Sequence, residues 1–167
     1  LDGPLDFIHA DTVQVWPFGF SASSNLLGIF YDGTTRALRA GQNDGLVIDK
    51  IGTFRAAVEF EGPDTILPTV ILALQLDGNG ARLIHKSGWT RLASSYSTKS
   101  GVQTVPSISV EGGRLDLTNP HFAGDEQVQL RVSGGLCTVN GGHMWNNYAG
   151  GCFAEVTGGT LIMNDVT

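Results

Sequence analysis

The chain has 167 residues, of which 41% are hydrophobic and 16% charged, and its formal net charge is −6. This length suits one domain with a sizeable core. Its lysines, Lys50, Lys86 and Lys99, form no basic stripe, which argues against phosphate neutralisation on nucleic acid and against an anionic membrane surface. The low charge leaves the surface to Ser, Thr, Asn, Gln and Gly, a composition that suits extracellular or virion proteins and subunits of oligomers.

Glycine is abundant, at 23 residues, without a collagen period; it falls between apolar runs, where turns belong. The apolar run Ile66–Leu76 is too short to cross a bilayer and contains Pro68. Residue 1 is Leu and no signal-peptide pattern opens the chain, which reads as a processed product or a fragment.

Taken in chain order, period-two alternation recurs and helical periodicity is absent. "DTVQVWPFGF" alternates through Val13 and Val15 until Pro17 marks an edge strand or a strand end. "GLVIDKIG" gives a short strand closing on Gly52. "TFRAAVEFEG" places Phe54, Ala56, Val58 and Phe60 on one face and Arg55, Ala57, Glu59 and Glu61 on the other. "TVILALQLDGNGARLIHK" reads as a hairpin. Its first arm buries Val70, Leu72, Leu74 and Leu76, and its second runs through Ala81, Leu83 and His85, or through Ile84. "SGWTRLASSYSTKSGVQTV" has no clear period and reads as a long surface loop or a loosely paired strand.

"SISVEGGRLDLTN" is a second expected hairpin, turning on Gly112–Gly113. In "EQVQLRVSGG" the residues Val128, Leu130 and Val132 point inward. "GGCFAEVTGGTLIMNDV" supplies two short strands joined by Gly158–Gly159. About ten closely spaced strands with glycine turns predict an all-β fold, an antiparallel β-sandwich or jelly roll. Residues 1–25 are expected to form a lead-in segment and 26–167 the head domain.

Order and spacing of the strands also carry a resemblance. "IGTFRAAVEFEG", the "SISV" and "RLDL" pair, "AGDEQVQLRVSGG" and "YAGGCFAEVTG" together resemble the strand motifs of the C1q/TNF-like jelly rolls, over roughly Leu46 to Leu161. The closing strand lacks the family's clean aromatic pair, and no leucine precedes Gly124-Asp125; a viral or phage fibre head is the nearest type. The resemblance implies a homotrimer packed around a threefold axis, with Ala57, Ala73 and Gln75 as contact candidates. It also implies a parent fibre or capsid and a place on a virion surface or outside the cell.

Catalytic motifs are missing: there is no G-x-S-x-G, P-loop, H-E-x-x-H or dinucleotide fingerprint. His9, His85, His121 and His143 stand at no metal-binding spacing, and each reads as a surface or structural residue. Glu59 and Glu61 read as solvated carboxylates rather than a catalytic pair. Asp77–Gly80 and Tyr31–Thr35 offer oxygens that suit calcium, but turns explain both. No cofactor, metal or enzymatic activity is therefore expected. Cys137 and Cys152 form either a disulfide, contributing roughly 3 kcal/mol, or two free thiols.

The richest stretch is "TVNGGHMWNNYAGG". It sets His143, Trp145, Asn146, Asn147 and Tyr148 between glycine pairs, rings for sugar faces and amides for sugar hydroxyls. Trp89, Arg91 and Tyr96 form a second candidate group. The function expected is a non-enzymatic trimeric head that binds a cell-surface receptor, most naturally a glycan. The alternatives are a secreted ligand for a protein receptor and a capsid decoration protein without a receptor.

Overall fold

The structure is a computed structural model that describes residues 8–15, 46–54, 57–62, 68–146 and 148–167. Its strands are β1 (Ile8–Val15), β2 (Leu46–Phe54), β3 (Ala57–Glu61), β4 (Thr69–Asp77), β5 (Arg82–Ser87), β6 (Trp89–Leu92), β7 (Ser95–Gln103) and β8 (Ile108–Val110). They continue with β9 (Arg114–Thr118), β10 (Pro120–Glu126), β11 (Val128–Val132), β12 (Leu136–Asn140), β13 (His143–Asn146), β14 (Cys152–Val156) and β15 (Thr160–Asn164).

Every strand pairing among the described residues is parallel, and strands adjacent in sequence do not pair, apart from β1 with β2. The chain winds as a β-solenoid of about four turns. One face is the sheet β14-β11-β8-β5-β3. The larger sheet supplies two more faces, because β4 pairs with β6 through Thr69–Ile71 and with β7 through Leu74–Asp77. The second face is β6, β9, β12 and β15; the third is β7, β10 and β13 on the C-terminal half of β4.

The antiparallel jelly roll is therefore overturned, and the C1q/TNF-like description goes with it. The hairpins expected at Asp77–Gly80 and Gly112–Gly113 do not form: β4 does not pair with β5 nor β8 with β9, and the two-glycine steps are corners of a coil. Arg114 N–H donates to Gly88 O at 2.7 Å, Leu136 N–H to Gly113 O at 2.9 Å and Thr160 N–H to Gly135 O at 2.9 Å. Each corner thus bonds to the corner one turn below, and the strands on its two sides enter different faces. The threefold packing was an implication of the sandwich, so that argument falls with the sandwich.

Alternation still decides what lies inside, because a parallel strand with one buried face has the same period of two. Leu83, Ile108 and Leu130 share one register column and are fully buried. Val110 and Val132 extend a second column above His85. On the second face Ile71, Leu92, Leu117 and Val139 stack in a third. Each such Leu or Ile stabilises the fold by about 1.5–3 kcal/mol through burial. The expected inward set of β4 fails in part: Leu72 is exposed, while Ile71, Leu74 and Leu76 are buried. The strand bends at Leu72–Ala73 as it passes from one face to the next, so its alternation shifts phase there.

The stretch expected as a surface loop or a loosely paired strand forms two strands, β6 and β7, with Thr90, Leu92, Ser95 and Ser97 buried. From the expected lead-in, β1 lies parallel to β2.

Candidate functional site

The third face carries a column of polar and aromatic side chains, one per turn. Register aligns Gln75 with Tyr96, Tyr96 with His121, and His121 with His143. Because neighbouring parallel strands lie about 4.8 Å apart, successive members are one strand spacing apart along the coil axis. Tyr96 and His121 stack with ring centroids 5.4 Å apart and planes 5° from parallel; His121 and His143 follow at 5.7 Å and 25°. The ring faces are turned to one another along the axis. His143 Nδ1 lies 3.4 Å from Thr167 Oγ1. Tyr96, His121 and His143 are all exposed.

Trp145 stands beside this column on the same side of β13, two residues beyond His143, and is 55% exposed. Its register neighbour on the turn below is Ala123, a small residue. The indole therefore offers an apolar surface next to a hydrogen-bonding edge, the combination that sugar recognition uses. At the foot of the face, the Gln75 amide donates to Asp77 Oδ2 at 2.6 Å.

The two candidate groups of the sequence are thus divided differently in space. Tyr96 joins His143 and Trp145 on the third face. Trp89 and Arg91 lie on β6 in the second face. Trp89 Nε1 donates to Asp116 Oδ2 at 2.8 Å, and the Arg114 guanidinium lies 4.6 Å above the indole ring centre. Arg114 Nε also donates to Asp116 Oδ1 at 3.1 Å, so Trp89, Arg114 and Asp116 form a cluster, while Arg91 is exposed. Asn146 is occupied with the backbone: its amide donates to Glu126 O at 2.6 Å and Cys152 O at 3.3 Å and accepts from Tyr148 N–H at 2.9 Å. It braces the corner that leads to β14, and Tyr148 belongs to that corner. Asn147 and the Tyr31–Thr35 turn lie outside the described residues.

His121 completes the column and was read from the sequence as a surface or structural residue. Only register between turns brings it between Tyr96 and His143, and no local spacing signals that.

Cys137 and Cys152 are both free. Cys137 is buried on β12 in the second face, where burial first and the Asp116 carboxylate second push its thiol up to about 12. Cys152 is exposed on β14 in the first face. Glu59 and Glu61 both pair with Lys86, the latter at 3.7 Å. Among the described residues no group of three His, Cys, Asp or Glu side chains could hold a metal ion. At the β13–β15 end, a cavity of about 280 Å³ is lined by Met144, Phe153, Met163, Asp165, Val166 and Thr167.

Comparison with known proteins gives no match: no family model, no curated relative and no solved structure.

Proposed function

We propose that the chain is a non-enzymatic binding module that holds a linear glycan along its third face, at a cell or particle surface. The carrying observation is the column Tyr96–His121–His143 on three successive turns with Trp145 exposed beside it. A coil repeats its outward groups at one strand spacing, so it suits a ligand that is itself an extended repeat better than a single terminal sugar. The ring edges supply donors and acceptors for hydroxyls, and the indole supplies an apolar face for one sugar ring. Few charges on the chain and a rigid parallel scaffold both fit such a role, because a site on fixed strands loses little ordering entropy when ligand arrives.

The test is an array of immobilised neutral and acidic linear polysaccharides probed with the wild type and Trp145→Ala. Binding by the wild type that is lost in Trp145→Ala, with the melting temperature unchanged, supports the reading. No binding to any member of the array, or binding that Trp145→Ala leaves intact, contradicts it.

A further inference from the structure

Inside the coil, behind β7 and β10, lies a polar cluster that glycan binding does not use. Lys99 Nζ is 3.1 Å from Glu126 Oε1, and both side chains are 0% exposed. The Ser107 hydroxyl donates to the same Oε1, and the Ser97 and Ser107 hydroxyls are 3.0 Å apart. Glu126 Oε2 has no hydrogen-bond partner, and Lys99 Nζ has none beyond this ion pair. A register shift in β10 between Ala123 and Asp125 brings Gly124 alongside. A Cβ there would stand 3.2 Å from Oε2, so glycine leaves that oxygen uncrowded.

We propose that Lys99 and Glu126 condense to an intramolecular amide that ties β7 to β10. The ion pair first passes one proton from Nζ to the carboxyl, giving a neutral amine and a neutral acid. The Nζ lone pair then attacks Cδ. Charge develops on Oε1, where the Ser107 hydroxyl already donates, which is the placement an oxyanion donor needs. The Cδ–Oε2 bond breaks, and Oε2 leaves as water, carrying the first proton and a second one from nitrogen. One C–N bond forms, one C–O bond breaks, one water departs, and nothing is oxidised or reduced.

Three features favour the step. The amine and the carboxyl are held in contact, so the encounter has no entropic cost at the moment of reaction. Burial foremost, and the nearby Arg82 charge to a lesser degree, lower the Lys99 pKa toward the nucleophilic amine; Glu126 acts in the opposite sense. A dry interior disfavours a separated charge pair and does not return the water that leaves.

Mass spectrometry of the purified, reduced wild-type chain tests this. The expected result is a chain one water lighter than its sequence. Trypsin should leave Lys99 uncleaved and join the peptide 92–114 to the peptide 115–131. Lys99→Met should show its full sequence mass and the two peptides apart. A wild type at full mass overturns the proposal, as does a water loss that maps to a succinimide at Asp77–Gly78 or that persists in Lys99→Met.

Discussion

Gly135 packs backbone to backbone on Gly113. A Cβ on Gly135 would lie 2.7 Å from the Gly112 carbonyl carbon and 2.8 Å from the Gly113 nitrogen. Both residues have left-handed backbones, with φ of +71° and +70°. Gly88 and Gly159 occupy the same corner one turn below and one turn above, with φ of +84° and +76°. Coil geometry therefore demands glycine here twice over, once for the dihedral and once for the close approach of successive turns.

That double demand separates two substitutions. Gly135→Ala should lower unfolding free energy by about 3 kcal/mol or more, because strain and a backbone clash add. Gly150 also has a positive φ, of +88°, but a Cβ there meets nothing within 4 Å. Gly150→Ala should cost only about 1 kcal/mol. Urea denaturation of the two variants beside the wild type measures the difference. Equal costs would contradict the stacked corner.

Much of the inward pattern was readable and the direction of the strands was not. Val58 and Phe60, Leu83 and His85, and Val128, Leu130 and Val132 are buried as alternation predicts. Ala57, Glu59 and Gln129, expected on the outer faces of β3 and β11, are buried as well, so Glu59 is not the solvated carboxylate that alternation implies. Alternation reports one buried face and is silent about whether the partner strand runs parallel or antiparallel. The missing signal was recurrence. "GGRLDLTN", "GGLCTVNG" and "GGTLIMND" repeat one pattern at Gly112, Gly134 and Gly158, a spacing that marks stacked turns. On the third face, Tyr96, His143 and Trp145 were named from two distant stretches. No local pattern marks His121 as a site residue, because its place depends on register one turn away.

Inside the first face, His85 stacks on Phe60 at 5.5 Å and 10°. Its Nδ1–H donates to Gly112 O at 2.9 Å, which leaves Nε2, 3.1 Å from Thr90 Oγ1, to accept from that hydroxyl. This is the neutral ring. Burial, which outweighs the raising effect of the Gly112 carbonyl, brings its pKa down to about 4 from 6.5. Between these values the unfolded chain binds more protons than the folded one, so stability falls as pH drops from about 6.5 and the loss levels off below about 4. The full effect is about 3 kcal/mol. Urea midpoints across this range should show the decline in the wild type and a shallower one in His85→Gln. Identical slopes would remove His85 as the cause.

The two thiols should differ sharply in reactivity. Cys152 is exposed, and Cys137 is buried with its thiolate strongly disfavoured. A maleimide added to native protein at neutral pH should label Cys152 alone, with Cys137 following only in denaturant. Reducing agent should leave the melting temperature unchanged. Slow labelling of both residues, or a melt lowered by reductant, would indicate a bond between them.

On the third face, His121→Ala removes the middle ring of the Tyr96–His121–His143 stack while Phe122 and Met144 still fill the core beneath. It should weaken glycan binding by roughly tenfold or more, since an edge hydrogen bond and an ordered neighbour are worth about 1–2 kcal/mol. Stability should change by less than about 1 kcal/mol, as for other exposed positions. A large loss of stability with binding intact would make the stack a structural element of the coil.

The most direct measurement is calorimetric titration of the wild type with oligosaccharides of increasing length, cut from a polysaccharide that the array identifies. A column that offers one contact per turn predicts affinity that climbs with each added sugar until the ligand spans Tyr96 to Trp145 and then levels off. Affinity already complete for a single sugar, or insensitive to length and to loss of Trp145, would contradict the account.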